Sequence, residues 1–216
     1  MPPGMPYEVG AVLPVVYGTA IHALVDRGGL TPGETLVVLG GAGGVGLAAV
    51  QVGRVLGARV VAVVGSADKE RAATAAGADA VVRHDRDDLR EALRAAAPDG
   101  VDVVFDPVGG DATEIAFRSL SWGGRLLVVG FAAGAIPAIP ANLPLLKGAS
   151  LVGVFWGRFA EQAPDANRAH FATLTEWWEQ GGLAPTITGR FGLDDGAEVL
   201  ARLAGRRVVG KLVITP

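Results

Sequence analysis

Residues 35–57, TLVVLGGAGGVGLAAVQVGRVLG, decide the fold of this chain. The first six form a short apolar run rich in β-branched side chains, which predicts a buried strand. From Val45 to Leu56 apolar residues recur at helical spacing, and Gly57 is a typical residue at a helix end. The pattern therefore predicts a strand, a glycine-rich turn and an amphipathic helix in immediate succession.

The turn contains residues 41–46, GAGGVG, a G-x-G-x-x-G pattern. Alone this pattern is weakly specific, but a strand before it and a helix after it are the context of a dinucleotide-binding turn. Gly41 then permits the tight turn, Gly43 lets the backbone approach a pyrophosphate, and Gly46 lets the helix pack on the strand. The first N–H groups and the dipole of the helix would bind the anion. A turn that serves packing alone is the alternative.

The same alternation of strand and helix continues along the chain. Strands are predicted at 59–65, 80–84, 101–108 and 124–131, and helices at 67–77, 87–97 and 111–120. Such alternation implies right-handed βαβ crossovers and a parallel sheet covered on both faces. We therefore predict an α/β fold, a doubly wound parallel sheet of the Rossmann type.

The end of the second predicted strand distinguishes two nicotinamide cofactors. An NAD site usually places Asp or Glu there, to bind the ribose 2′-hydroxyl. Here the strand ends in VVGS, residues 63–66, and Asp68 comes late and is expected to cap the next helix. The basic residues nearby are Lys69, Arg71, Arg83 and His84. A small residue among cations suits a 2′-phosphate, so the sequence favours NADPH over NADH, although Arg71 is better explained as part of a solvated helix face.

The flanking segments follow a looser pattern. Residues 7–26 predict a helix that Pro14 and Gly18 interrupt. After residue 131 we expect a proline-rich loop with a short helix, a strand at 149–157, a helix at 168–182, and a tail of strand, helix and strand in which Asp194 is the N-cap. The predicted divisions are a connecting helix region, 1–26, a dinucleotide-binding domain, 27–182, and a C-terminal segment, 183–216.

Composition excludes several kinds of site. The 216 residues carry a net charge of −3, so no global basic field attracts nucleic acid. The absence of cysteine excludes disulfides, thiolate catalysis and Cys-ligated zinc, and three histidines without ligand spacing make a metal site improbable. No apolar run reaches the roughly 18 residues of a membrane span, and the start lacks a basic n-region. A cytoplasmic protein is expected.

Other polar and aromatic residues have two interpretations each. Asp106 ends the fourth strand, where many α/β sites lie, but a carboxylate that caps a turn is favoured. Tyr17 is favoured as a core tyrosine rather than an acid, and His22 as structural. Trp156 flanks a ligand or makes a packing or subunit contact, with neither favoured. Trp177 and Trp178 are expected to be core and surface anchors.

The sequence also bears on three other functional classes. A methyltransferase also has a glycine-rich first turn, but it usually needs an acid at the end of the second strand, which is missing. A short-chain dehydrogenase needs Tyr-x-x-x-Lys, and neither Tyr7 nor Tyr17 has a lysine four residues later. A non-catalytic nucleotide-binding module remains open.

Seven segments together resemble the zinc-free quinone oxidoreductases of the medium-chain dehydrogenase/reductase superfamily, alongside zeta-crystallin. They are LPVVYGTAIHAL (13–24), residues 30–69, GADAVV (77–82), DVVFDPVGG (102–110), GGRLLVVGF (123–131), LPLLKGASLVGVFWG (143–157) and RRVVGKLVITP (206–216). The resemblance implies NADPH-dependent reduction of quinones or other α,β-unsaturated carbonyls by hydride transfer, with a proton from solvent or a nearby hydroxyl. The protein would mainly orient the reactants.

The resemblance also implies positions for the cofactor. The pyrophosphate would lie against Ala42, Gly43, Gly44 and Val45. The adenosine phosphate would face Gly65, Ser66 and Lys69, with His84 beside the adenine ribose and Val108 and Gly109 on the adenosine side. The nicotinamide would be approached by Val129, Gly130, Phe131, Val154, Phe155 and Trp156. His84 stands where some relatives carry tyrosine, and no catalytic residue is assigned.

Members of that family begin with a further domain, a partly open β-barrel that forms one wall of the cleft. The resemblance implies that residues 183–216 return to that domain, and that activity is weak or absent unless the wall is supplied. It also implies a homodimer through the edge strand 149–156, because an apolar edge strand needs cover.

Overall fold

A computed structural model describes residues 1–205 and 208–216 of this chain. Its largest element is a six-stranded, wholly parallel sheet of order β3-β2-β1-β4-β5-β6. The strands are β1 Thr35–Leu39, β2 Arg59–Val64, β3 Ala80–Arg83, β4 Val101–Asp106, β5 Leu120–Val128 and β6 Ser150–Gly153. The chain enters at the centre and winds outward on both sides. The predicted doubly wound α/β fold is confirmed.

Helices cover both faces of the sheet. They are α1 Tyr7–Ile21, α2 Gly44–Val55, α3 Ala67–Ala75, α4 Leu89–Ala96, α5 Asp111–Arg118, α6 Asn142–Lys147, α7 Trp156–Gln162 and α8 Pro164–Glu179. One core lies under α1, α2 and α8 and contains Val38, and the other lies under α4 and α5 and contains Leu39. Successive β1 side chains thus enter opposite cores, which explains the unbroken apolar run.

The N-terminal helix is longer than predicted. α1 passes Pro14 and Gly18 without a break and continues as a π-helical segment, His22–Arg27. Gly18 is needed there because a methyl group at this position would lie 2.8 Å from the Trp156 indole. By length and composition the 21 residues Tyr7–Arg27 could cross a membrane, contrary to the expectation from the sequence. However, 56% of the apolar window is buried against the rest of the protein, as in a core helix.

Two predicted strands have different limits. β5 begins at Leu120 rather than 124, with a register shift against β4 between Val101 and Val103. The strand predicted at 149–157 is confined to β6, because the chain turns into α7 at Trp156. α7 was not predicted, and α8 begins at Pro164 rather than 168, with proline in the first helical turn, where its missing N–H costs nothing.

The C-terminal residues form a small parallel unit of their own. It consists of β7 Ile187–Gly192, a 3₁₀ turn Leu193–Asp195, α9 Gly196–Ala204 and β8 Lys211–Thr215, with β7 and β8 paired in a separate sheet. Asp194 does not cap α9 as predicted. The neighbouring carboxylate of Asp195 instead accepts from the Gly192 N–H at 2.9 Å. Arg206 and Arg207, within the predicted segment 183–216, lie outside the described residues.

Candidate functional site

A cleft of about 750 Å³ opens at the carboxyl edge of the sheet, where β1 and β4 lie side by side. The chain reverses its winding direction between these two strands, and ligands of doubly wound folds bind at such points. Seven of the residues predicted to hold the cofactor line the cleft: Ala42, Gly43, Val45, Gly65, Lys69, His84 and Val108. The other predicted residues are not among those that line it.

The glycine-rich turn forms one wall of the cleft. It is held by hydrogen bonds from Gly43 N to Gly40 O and from Gly41 N to Val63 O, both 3.0 Å. α2 begins at Gly44, and its N-cap Gly43 contributes no side chain to the helix end. The first N–H groups of a helix have no acceptor within the helix, so this end is suited to bind an anion.

The turn glycines differ in what an added side chain would meet. A methyl group at Gly46 would lie 2.2 Å from Gly40 O, and one at Gly41 would lie 2.8 Å from the Ala62 methyl. Close packing of α2 on the sheet thus requires both glycines. A methyl group at Gly43 would meet protein only at 3.5 Å, an ordinary contact. The space beside Gly43 is therefore open, so a bound group can lie directly against the backbone there.

The end of β2 carries no acidic side chain. Gly65 lies against His84, since a methyl group on Gly65 would be 2.9 Å from His84 Nε2. Ser66 is the N-cap of α3, with its Oγ 3.4 Å from Lys69 N, so Asp68 is not the cap that was predicted. Lys69 lines the cleft.

Two arginines near β2 pair with carboxylates of the protein. Asp68 pairs with Arg71, and both side chains are about three-quarters exposed, which confirms the solvated helix face predicted for Arg71. Arg83 donates to Asp85 at 2.7 Å and lies 3.4 Å from Glu70. The hydrogen bond from Arg83 holds the pKa of Asp85 well below its ordinary value. Arg83 is therefore committed to carboxylates of the protein.

Three of the polar residues for which the sequence allowed two interpretations have structural contacts. Asp106 accepts from Val108 N at 2.8 Å, from Gly109 N at 2.9 Å and from Thr113 Oγ1 at 2.6 Å, so it caps the turn after β4. Tyr17 is buried and its hydroxyl donates to a side chain of α2, and burial raises the pKa of this hydroxyl. His22 is buried, with Nδ1 2.6 Å from Asp26 Oδ2.

The residues predicted beside a nicotinamide follow β5 and β6, outside the cleft lining. Phe131 and Phe155 are exposed, and Val154 is buried. Trp156 is not at a strand end as predicted. As the first residue of α7 it packs its indole on α1, and its Nε1 donates to Asn167 Oδ1 at 3.1 Å. The roles assigned to Val129, Gly130, Phe131 and these residues stay predictions.

Residues 208–211, here called the returning segment, complete the wall formed by the glycine turn and were not predicted to do so. Gly210 N donates to Ala42 O at 2.9 Å, and Gly210 forms a parallel bridge with Gly43. The methylenes of Lys211 lie across Gly44, and Val208 lines the cleft. The one signal in the sequence is Gly210 inside an apolar strand pattern, which indicates a close approach of backbones.

Comparison with known proteins identifies relatives. The family model of zinc-binding dehydrogenases matches residues 44–172. Quinone oxidoreductase-like protein 2 of Bos taurus is 39% identical over 207 residues, which are 95% of this chain and 59% of that protein. The Mus musculus protein of the same name is 37% identical, over 100% of this chain and 62% of its own length. This chain thus spans about three fifths of these relatives.

Solved structures agree with the sequence relatives. A probable oxidoreductase from Mycobacterium abscessus has 34% identity and a TM-score of 0.86, over 100% of this chain and 65% of its own. A mycobacterial protein solved in complex with NADPH has 27% identity and a TM-score of 0.92, over 100% of this chain and 66% of its own.

The family name raises the question of zinc. The sequence has no cysteine, and within residues 1–205 and 208–216 no three His, Asp or Glu side chains converge as metal ligands. The donors present therefore do not fit a zinc site. The family model covers more than half of the chain and the quinone oxidoreductase-like relatives cover nearly all of it, so the chain belongs to the zinc-binding dehydrogenase family of the medium-chain dehydrogenase/reductase superfamily, among the quinone oxidoreductase-like proteins.

Proposed function

We propose that this chain binds NADPH in the cleft and serves an oxidoreductase that reduces quinones or other α,β-unsaturated carbonyls. The observation that carries the proposal is the open end of α2 beside Gly43, in a cleft whose second strand ends without an acid. The family and the NADPH complex of a structural relative support it.

The pyrophosphate would bind at the start of α2. The N–H groups of its first turn supply hydrogen bonds, the helix dipole adds a favourable field, and Gly43 admits the phosphates closely. Lys211 would add a positive charge, because its methylenes cross Gly44 at this helix end. The two negative phosphates would thus lie near backbone donors and a cation.

The 2′-phosphate would bind at the end of β2. Lys69 lines the cleft there, and the small residues Gly65 and Ser66 leave room where an NAD site has a carboxylate. Arg83 is not assigned to the phosphate because Asp85 and Glu70 already hold it. Preference for NADPH thus depends mainly on Lys69 and on the missing acid.

Bound NADPH supplies a hydride, and this chain supplies orientation. The lining is largely apolar, with Leu39, Val45 and Ile115 among its side chains, so it excludes water from the bound dinucleotide. Because the chain spans about three fifths of its relatives, the substrate wall is assigned to the further domain that the family resemblance implies. We also propose a cytoplasmic location and a homodimer through β6.

A thermal-shift panel of NADPH, NADH and S-adenosylmethionine tests the binding proposal. At a free concentration of about 100 Kd a ligand contributes about 2.7 kcal/mol, so NADPH should raise Tm by roughly 5–10 °C. A smaller shift with NADH is expected and none with S-adenosylmethionine. Stabilisation by S-adenosylmethionine alone would favour a methyltransferase and contradict the proposal.

Consumption of NADPH with a panel of quinones and enones tests the reaction. Turnover of any of them supports the oxidoreductase. Stabilisation by NADPH without turnover would favour the second candidate, a non-catalytic NADP-binding module. The same assay on a protein that includes the further domain shows whether turnover is absent because the substrate wall is missing or because the protein has no such activity.

A further inference from the structure

The side-chain amide of Gln51 joins α2 to the chain that leads into the C-terminal unit. Gln51 lies on the same helix as Gly44 and is 4% exposed. Its Oε1 accepts hydrogen bonds from the Tyr17 hydroxyl and from Ala184 N, both at 2.8 Å. Its Nε2 donates to Ala184 O at 2.9 Å. The carboxamide thus pairs with both backbone groups of Ala184, as a neighbouring strand would.

Two residues beyond Ala184 the same connecting segment, which leads into β7, contacts the returning segment. Thr186 O accepts from Lys211 N at 2.9 Å. Gly210 has a φ of +64°, and a methyl group there would lie 2.3 Å from Thr186 O, so the two backbones touch. A residue other than glycine would push the returning segment away. The position of Gly210 therefore follows the position of Thr186.

Gly210 in turn contacts the glycine turn through its hydrogen bond to Ala42 O. A continuous path of hydrogen bonds and backbone contact thus runs from Gln51 through Ala184, Thr186 and Gly210 to Ala42. Apolar packing also contributes to this attachment. Leu183, next to Ala184, and Val213 are buried in the core under α1 and α2, and Ile187 and Val209 pack against it. The polar anchor at Gln51 acts beside this packing and is the part that pairs with the backbone of Ala184.

We propose that Gln51 is a positioning residue for the cleft: by holding Ala184 it fixes the returning segment, and so places Val208 and Lys211 beside the glycine turn. Gln51 itself does not line the cleft. The effect on cofactor affinity rests on the function proposed above, whereas the effect on the returning segment does not depend on any ligand.

The first test replaces Gln51 with methionine, which keeps the length of the side chain and removes its hydrogen bonds. Loss of this buried pairing should speed amide exchange at Gly210 and Lys211 by about tenfold or more, measured by NMR without cofactor. The Kd for NADPH should rise by about tenfold, equivalent to about 1.4 kcal/mol. Unchanged exchange at both amides would overturn the inference.

Tyr17→Phe is the matched control. It removes one hydrogen bond to the same Oε1 and leaves both bonds to Ala184. The variant should lose stability, but exchange at Gly210 and Lys211 and the Kd for NADPH should stay within about twofold of wild type. Equal effects of Tyr17→Phe and Gln51→Met on these readouts would mean that Gln51 acts through general stability, and would refute positioning.

Gln51→Glu gives a second, independent readout. A carboxylate can accept from Ala184 N but cannot donate to Ala184 O, whereas a protonated carboxyl can do both. Burial raises the pKa of such a carboxyl, so the affinity of this variant relative to wild type should recover as pH is lowered from neutral. Tyr17 stays protonated throughout, since burial raises its pKa. A ratio that does not change with pH would contradict the inference.

The two proposals fail in different ways. If wild type does not bind NADPH, the proposed function is wrong, and the exchange of Gly210 and Lys211 still decides whether Gln51 holds the returning segment. If wild type binds NADPH but Gln51→Met neither frees these amides nor weakens binding, the positioning role alone is wrong.

Discussion

Gly46 and Gly43 lie three residues apart in the glycine turn, yet they exclude side chains for different reasons. At Gly46 the obstacle is Gly40 O, a backbone atom that cannot rotate away. At Gly43 the protein leaves space, and the obstacle would be a bound phosphate. Stability and ligand affinity therefore depend on different glycines of one motif.

Gly46→Ala should destabilise the protein and abolish NADPH binding. The added methyl group forces α2 away from β1, an overpacking cost of about 1–3 kcal/mol. Urea denaturation and NADPH titration measure the two effects. Gly196→Ala is the control, because it lies in exposed α9 with nothing within 4 Å of a new methyl group. It should stabilise by about 0.5–1 kcal/mol with unchanged affinity, and a similar loss in both variants would contradict this view of the turn.

Lys69→Ala should weaken NADPH more than NADH. Loss of one charge-assisted contact to the 2′-phosphate predicts roughly a tenfold rise in the Kd for NADPH and less than about a twofold change for NADH. Arg71→Ala, on the same helix but paired with Asp68 in solvent, should change neither. Fluorescence titration gives both constants, and equal losses for the two cofactors would rule out the assignment.

At the scale of single residues, the sequence predicts those site residues whose surroundings are formed by neighbouring positions in the chain. The G-x-G-x-x-G glycines, Lys69 and His84 were predicted because a strand and a helix fix their surroundings within a few residues. The engagement of Arg83 by Asp85 and Glu70 was not predicted, because side-chain pairing depends on how α3 meets the end of β3. Lys211 was missed because its contact with Gly44 joins distant parts of the chain.

At the scale of elements, Arg125 on β5 fastens the start of the sheet. Its guanidinium donates to both oxygens of Glu34, at 2.5 and 2.8 Å, and to Gly29 O at 3.0 Å. Glu34 precedes β1, and Gly29 follows the π-helical segment. One side chain thus ties β5 to the end of the π-helical segment and to the start of β1. The hydrogen bond from Arg125 lowers the pKa of Glu34 below its ordinary value.

Stability should therefore fall in mild acid. Because the pKa of Glu34 is lowered by folding, its contribution is complete above the unfolded pKa and is lost as pH falls towards the folded value. Glu34→Gln should cost about 1–2 kcal/mol at neutral pH and reduce the loss of stability in acid, as measured by urea denaturation across pH. Glu161→Gln, which breaks an exposed pair with Arg158, should cost at most about 0.5 kcal/mol. Identical pH profiles for Glu34→Gln and wild type would refute this role.

The elements that the sequence predicted well are those with an apolar run between glycines, such as β1 and β2. Beyond β5 the predicted short helix, strand, long helix and tail of strand, helix and strand are present, but their limits differ and α7 was not predicted. The segment GVFWG continues the apolar pattern of β6, but Trp156 begins α7 because its indole finds the gap above Gly18. The sequence around Trp156 does not reveal this gap, because a distant helix, α1, forms it.

At the scale of the whole molecule, β6 is an open edge of the large sheet. Its Leu151 is 48% exposed, and Trp122, Leu145 and Leu146 are exposed on the adjacent β5 and α6. A second copy that pairs along β6 about a twofold axis would cover the unpaired backbone groups and these side chains.

In the homodimer proposed above, Leu151→Lys should favour the monomer, since a charge on an edge strand opposes pairing. Analytical ultracentrifugation measures the change. Leu200→Lys on α9, 67% exposed, is the control for self-association through the C-terminal unit and should leave the dimer intact. Dissociation by Leu200→Lys but not by Leu151→Lys would place the interface on α9 instead.

The contact between the returning segment and the glycine turn has a consequence for biogenesis. Residues 41–46 are translated long before residues 208–211, and the five strands β2 to β6 of the large sheet are made in the interval. A nascent chain can thus assemble its sheet while one side of the dinucleotide cradle is still untranslated. With the binding proposed above, firm retention of the coenzyme would be deferred until that late stretch has emerged, so occupancy would mark chains whose translation has passed it.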